Sequence, residues 1–202
     1  LTFITTPNNP TGSTVTLEEI EKIAKATSGL LIVDEAYAEF SDEKSAATLI
    51  ATYPHVVVIR TMSKAFAFAG VRLGYLIADP AVIDAMFLVR LPYHLSALTQ
   101  AAAEVALDFK DELLGTVGQL RRDRDLVATQ LAGLGLTVIP SSSNFLLFTG
   151  FSMPSAQLWQ AMLDRGVLIR DVGLLGYLRV TIGNEAENMK FISTLSACLG
   201  EK

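Results

Sequence analysis

The stretch Val56-Val-Val-Ile-Arg-Thr-Met-Ser-Lys-Ala-Phe-Ala-Phe-Ala-Gly-Val-Arg-Leu-Gly-Tyr75 decides how the rest of the chain reads. It opens on a β-branched run, 56–59, with the composition of a buried strand. Small and hydroxylated residues follow around Lys64, the chain passes Gly70, and an apolar strand resumes over 74–77. A single lysine between two apolar strands, flanked by Thr61 and Ser63 and followed by Arg72, has two readings. It is a strand-end lysine whose amine reaches solvent, or a desolvated amine of the kind that forms Schiff bases. The neighbouring segments decide between them.

Upstream, Leu1-Thr-Phe-Ile-Thr-Thr6 reads as a strand, with neither an initiator methionine nor a signal peptide before it. The expectation is a chain that starts inside a domain, as the C-terminal part of something larger. The strand ends in Pro7-Asn-Asn-Pro-Thr-Gly12, a composition that makes a tight polar turn. Thr16 and Glu19 form a capping-box pair, and the spacing predicts a helix over 17–27. After Gly29 comes Leu30-Leu-Ile-Val33, a short apolar strand of the parallel-sheet type, running directly into Asp34-Glu-Ala-Tyr37. Strand, helix, strand, helix-like segment and strand make an α/β layer structure.

Downstream of Pro80 the period turns helical, over 81–89, 96–109 and 113–134, with Pro92 as a break. The domain boundary is expected near 93–96. The second domain then reads as strands at 137–139 and 144–148, a helix over 154–164, strands at 167–169 and 177–181, and a terminal helix over 185–199. Asn184 and Glu187 supply its cap.

Half of the 202 residues are hydrophobic and 18% are charged, which excludes disorder as the dominant state. A net charge of −5 with no basic run argues against nucleic acid as the main partner. Arg121, Arg122 and Arg124 read as the solvated face of a helix. The single cysteine, Cys198, excludes an internal disulfide framework and fits a reducing compartment. His55 and His94 are far apart, so no metal site is expected. No apolar run is long enough to suggest a membrane-spanning helix.

An electron-sink cofactor such as pyridoxal phosphate needs a lysine, an acid for its ring nitrogen, donors for its ring oxygen and an anion site for its phosphate. Asp34 ends a buried strand, where ligands of open α/β sheets collect, and a carboxylate there keeps a ring nitrogen protonated. Tyr37 and Asn9 offer donors for the ring oxygen. Arg72 offers a forked donor for phosphate, with the hydroxyls of Thr61 and Ser63 beside it. Each has a structural alternative: a loop-capping aspartate, a half-buried tyrosine, plain turn chemistry, a surface ion pair.

The joint order is more specific than any one residue. The Pro-Asn-Asn-Pro-Thr-Gly turn, then Asp-Glu-Ala-Tyr after a strand, then Ser63-Lys64 with Arg72 eight residues on, resembles the fold-type-I pyridoxal-phosphate-dependent aminotransferases. Within that family the stretch 61–74, Leu91-Pro-Tyr-His-Leu-Ser96 and Leu178-Arg-Val-Thr-Ile-Gly183 are similar to segments of the histidinol-phosphate branch. The resemblance covers essentially the whole chain. It implies part of the large pyridoxal-phosphate-binding sheet domain over 1–95 and a small α/β C-terminal domain over 96–202.

The resemblance also implies roles. Lys64 would be the catalytic residue that holds the cofactor and moves the proton. Asp34 would pair with the ring nitrogen, Tyr37 and Asn9 with the ring oxygen, and Ser63, Arg72 and Thr61 with the phosphate. Arg179 and Arg170 would grip the substrate's anionic end, with Tyr93 near the substrate. The implied reaction is transamination between glutamate/2-oxoglutarate and histidinol phosphate/imidazole-acetol phosphate in histidine biosynthesis. Implied partners are a small-molecule amino donor and a 2-oxo acid acceptor, with no nucleic acid or membrane, in a cytoplasmic homodimer when full length. The family's phosphate loop and ring-stacking aromatic are expected upstream of Leu1, so the chain alone is expected to bind cofactor weakly. Three alternatives stay open: an aromatic (phenylalanine) aminotransferase, a decarboxylase of a phosphorylated amino acid, and the non-catalytic sensor half of a transcriptional regulator. His94, Cys198 and Trp159 read as structural residues.

Overall fold

A computed structural model describes residues 1–200. The chain forms two compact units: Leu1–Pro7 with Thr14–Val117, and Asn8–Ser13 with the chain from Gly118 on. The division falls inside a helix, and the turn at 8–13 belongs to the second unit although its flanks belong to the first.

In the first unit, β1 (Thr2–Thr5), β2 (Leu31–Asp34), β3 (Val56–Thr61) and β4 (Gly74–Ile77) lie side by side in that order. The first three are parallel, in a register that aligns Thr5 with Asp34 and Asp34 with Ile59, and β4 runs antiparallel to β3. Helix α1 (Leu17–Ala26) forms because Thr16 Oγ1 accepts from the Glu19 N–H while Glu19 Oε2 accepts from the Thr16 N–H at 2.9 Å. Its inner face, Ile20 and Ala24, packs on Leu31, Val33, Val56 and Val58. Burying a side chain such as Ile20 contributes on the order of 2 kcal/mol.

Of the two apolar strands around Lys64, one is buried. In β3, Val56, Val57 and Val58 are buried, but Tyr75 and Ile77 of β4 are 43% and 37% exposed. The reason is position: among the described residues β4 is an edge strand. Helix α2 (Pro80–Val89) is capped by the Asp79 carboxylate, with Pro80 in its first turn, and α3 (Ala97–Asp108) by Ser96. Helix α4 (Lys110–Gly133) follows and crosses from the first unit to the second.

The second unit has an antiparallel sheet of β5 (Thr137–Val138), β6 (Phe145–Thr149) and β7 (Leu178–Thr181), with β6 central. Against it pack α4, α5 (Ser155–Asp164) and α6 (Glu185–Gly200), through Val127, Leu131, Leu158, Met162, Phe191 and Leu195. Asn184 and Glu187 cap α6 reciprocally, at 3.0 and 2.8 Å. The expected strand over 167–169 does not form. Only Arg170 pairs, as a single bridge to Arg179, because glycines with positive φ at 166, 173 and 176 turn the chain on either side. Arg124 also departs from expectation. It is buried, and its Nη1 donates to the Ser143 carbonyl at 3.2 Å, so it ties α4 to the start of β6.

Candidate active site

In the first unit Asp34, Tyr37, Thr61, Ser63 and Lys64 stand at or just beyond the carboxyl ends of β2 and β3, because a parallel sheet sends every strand's carboxyl end to one edge. Asp34 is the last residue of β2 and half-buried. Its Oδ1 accepts from the Ala36 N–H at 2.9 Å, which orients the carboxylate, and its Oδ2 accepts no hydrogen bond from the described residues. Tyr37, one turn on, is 7% exposed. Over its ring lies the Lys64 amine, with Nζ 5.6 Å from the centroid. Lys64 is exposed; its carbonyl accepts from the Ala67 N–H at 3.0 Å, while its amine makes no hydrogen bond or ion pair among the described residues. The solvent-reaching reading of this lysine therefore describes its environment, and the amine remains available for chemistry.

Thr61 ends β3. Its hydroxyl donates to the Leu73 carbonyl at 3.2 Å and accepts from the Ser63 N–H at 3.0 Å, so it shapes the Lys64 loop. The Ser63 hydroxyl makes no hydrogen bond among the described residues. Arg72 is exposed, takes a left-handed conformation at φ 59°, and donates Nη1 to the Ala69 carbonyl at 3.2 Å. Tyr93 also has positive φ and is 98% exposed, so it packs against none of the other named residues.

The second unit brings Asn9, Arg170 and Arg179 together. Gly12 permits this: at φ +77° it is in a region that favours glycine, its carbonyl accepts from the Ser142 N–H at 2.8 Å, and a Cβ there would overlap Ser141. The turn so anchored carries Asn9, whose Oδ1 accepts from Arg179 Nη1. Arg170 lies directly opposite Arg179, with reciprocal backbone hydrogen bonds of 2.8 and 2.9 Å. Directly opposed residues of an antiparallel pair share a face, and two like charges there repel. Arg179 also lies over the Phe145 ring, 4.7 Å from its centroid. An open cleft is lined by Asn9, Pro10, Arg170, Asp171, Val172 and Arg179. Two guanidinium groups and an amide on one face can hold an anion, which would relieve the repulsion between them, although the Asp171 carboxylate lines the same cleft.

A third group escaped the sequence reading. Glu35, next to Asp34, is 3% exposed. Its Oε2 accepts from Arg60 Nη2 at 2.7 Å, Arg60 Nε at 3.0 Å and Ser45 Oγ at 2.8 Å, and its Oε1 accepts from the Ala46 N–H at 2.7 Å. Arg60 also approaches Glu39 at 3.5 Å. Burial works against the Arg60 charge, but the Glu35 hydrogen bonds and both carboxylates outweigh it and hold its pKa above the ordinary arginine value. Trp159 is structural as expected: its Nε1 donates to the Ile169 carbonyl at 2.9 Å. Among the described residues no group of three His, Cys, Asp or Glu is placed to hold a metal ion, and no helix is long and apolar enough to cross a membrane.

A family model described as aminotransferase class I and II matches residues 1–195. The histidinol-phosphate aminotransferase of Corynebacterium efficiens is similar at 58% identity over 199 residues, which is 98% of this chain and 53% of that relative. Among solved structures, the histidinol-phosphate aminotransferase of Sinorhizobium meliloti in complex with pyridoxal-5'-phosphate matches with a TM-score of 0.85 and 29% identity, over 98% of this chain and 56% of that one. The L-threonine-O-3-phosphate decarboxylase of Porphyromonas gingivalis matches with a TM-score of 0.89 and 26% identity, over 98% and 64% respectively. The chain spans about half the length of the curated relatives it matches.

Proposed function

Because the chain belongs to the class I and II aminotransferase family, we propose that the protein uses pyridoxal phosphate to transfer an amino group between glutamate and imidazole-acetol phosphate in histidine biosynthesis. When bound, the cofactor supplies a conjugated pyridinium ring that accepts electrons as a bond to the substrate's α-carbon breaks. The residues present fit such a group. Asp34 Oδ2 is an uncommitted acceptor for the ring N–H, and the Ser63 hydroxyl is an uncommitted donor for phosphate. Arg72 keeps its guanidinium in solvent for the same phosphate. Tyr37 would donate its phenol hydrogen to the ring oxygen; Asn9, exposed and held at its Oδ1 by Arg179, is assigned as a second donor. Lys64 Nζ, exposed beside the Tyr37 ring, would hold the cofactor and, as the free amine once the substrate has displaced it, would move the proton to and from the substrate's α-carbon.

The substrate assignment is carried by one observation, the Arg170–Arg179 cross-strand pair beside Asn9. A dianionic phosphate offsets the repulsion between the two guanidinium groups, whereas a neutral side chain leaves two like charges facing each other. Tyr93 is assigned to the substrate with them. Names of relatives at about 58% identity support the same choice. We assign residues 1–95 to the cofactor-binding domain, residues 96–202 to the small domain, and the full-length protein to a cytoplasmic homodimer. The exposed apolar side chains Leu88, Val89 and Leu98 on α2 and α3 suit such an interface.

The test compares histidinol phosphate, phenylalanine and O-phosphothreonine as substrates of the full-length protein. Histidinol phosphate is expected to be preferred as amino donor. A preference for phenylalanine by orders of magnitude, or carbon dioxide release from O-phosphothreonine, would overturn the assignment. Arg179→Ala is expected to raise KM for histidinol phosphate about 30-fold, equivalent to ~2 kcal/mol for a lost charge-assisted contact. Lys64→Ala is expected to abolish both transamination and the visible absorbance of lysine-bound cofactor while leaving the circular dichroism unchanged.

A further inference from the structure

We propose that Glu35 and Arg60 are positioning residues, whose ion pair, buried at Glu35 and partly buried at Arg60, holds the Asp34–Tyr37 segment in register with the Lys64 loop. The proposal rests on the aminotransferase reading above.

Three observations carry it. First, strand alternation sends the Asp34 and Glu35 side chains to opposite faces, so Glu35 cannot meet what Asp34 meets. Second, Glu35 is bonded to β3, to the turn that carries Tyr37 and to the segment at Ser45 and Ala46. Its N–H extends the β2–β3 ladder to the Ile59 carbonyl at 2.9 Å, and its carbonyl accepts from Ala38 N–H at 3.0 Å, holding the turn that carries Tyr37. Its carboxylate takes four donors, from Ser45, Ala46 and Arg60. Third, Arg60 stands four residues before Lys64 on the strand that delivers it, opposite Tyr75 of β4. The pair therefore joins the strand ending in the ring-nitrogen acceptor to the strand feeding the amine. The other acid at Arg60, Glu39, is 3.5 Å away, and its Oε2 is buried without a hydrogen-bond partner among the described residues. The close contact belongs to Glu35.

If this pair sets the placement of Lys64 relative to Asp34, loosening it displaces reacting groups without removing any of them. Misplacement on the order of 1 Å costs up to about 100-fold in rate. Full-length Glu35→Gln and Arg60→Lys, loaded with pyridoxal phosphate, are expected to lose about 10- to 100-fold in kcat with KM for the amino donor within about two-fold. The pH midpoint of the absorbance change of lysine-bound cofactor is expected to move, since that midpoint reads the surroundings of Nζ rather than overall stability. Glu39→Gln serves as the control and is expected to move neither. The double variant Glu35→Met, Arg60→Met replaces the buried pair by apolar side chains, which recovers stability in many buried pairs.

Absorbance midpoint and kcat that remain displaced in a double variant unfolding as cooperatively as the native enzyme support the positioning role. Recovery of both together with stability overturns it, as does an unchanged midpoint in folded Glu35→Gln. Native enzyme that shows no absorbance dependent on Lys64 instead defeats the aminotransferase reading itself, so the two failures are told apart.

Discussion

Glu39 shows how one carboxyl is governed by where its chain buries it. Burial pushes its pKa above the ordinary 4.5, its own backbone hydrogen bond and Arg60 pull the other way, and the Glu35 charge adds to the rise. A carboxyl whose folded pKa exceeds its unfolded one binds more protons in the native state. Stability then falls as pH rises through the window from about 4.5 to the raised value. Glu39→Gln carries no such charge, so its stability relative to the native protein is expected to improve from pH 4 to pH 7, with little difference at the acid end. Urea unfolding across that range measures it, and a pH-independent difference contradicts it. This residue-scale chemistry was only partly legible. Asp34 and Lys64 could be singled out by type and order, and the positions of both at or just beyond the ends of strands were legible, but Asp34-Glu35 is a pair of adjacent acids in one dimension. Which of them turns inward depends on Ser45, Ala46 and Arg60, which no local pattern connects to it.

At the scale of elements, the turn at 7–12 is the clearest case of a local feature with a distant purpose. Gly12→Ala introduces two separate costs: a left-handed φ for a non-glycine residue, about 1–2 kcal/mol, and a Cβ overlapping Ser141, about 1–3 kcal/mol. Gly173 has nearly the same φ, +75°, with no atom within 4 Å of an added Cβ. Gly173→Ala is therefore expected to lose only the first cost, and Gly12→Ala about 3 kcal/mol in all, by urea unfolding. Equal losses would show that the contact with Ser141 is relaxed away at no cost. Gly12→Ala is also expected to raise KM for histidinol phosphate, because the same turn holds Asn9 against Arg179. Capping pairs were legible, Thr16 with Glu19 and Asn184 with Glu187, since each is satisfied within one helical turn. The strand expected over 167–169 was not. Its residues are strand-like, but pairing was limited by the glycines that turn the chain on either side.

At the scale of the whole molecule the two units differ in how completely they cover their apolar surface. In the second, four residues of β6 are buried, and two of them, Leu146 and Phe148, pack with side chains from α4, α5 and α6. In the first, β4 is an edge, and Phe87, Leu88, Val89, Leu91, Tyr93 and Leu98 stand 55–98% exposed across α2, α3 and the link between them. Composition made a sizeable core legible, but it is blind to which apolar residues stay uncovered, and an apolar strand such as 74–77 reads the same at an edge as in the middle of a sheet. The link around Arg90–Tyr93 is exposed and lies outside regular structure, the condition under which proteases find extended backbone. Trypsin or chymotrypsin acting on the 202-residue chain is expected to cut first there. The only tryptophan, Trp159, packs on the core of the second unit and hydrogen-bonds the Ile169 carbonyl, so its emission reports that unit alone. After the first cut, the urea transition followed by Trp159 emission is expected to be unchanged, because the core built on β6 draws on residues from Val127 onward. A red-shifted emission on cutting, or a first cut within 137–149, would mean that this core depends on the intact chain rather than on its own packing.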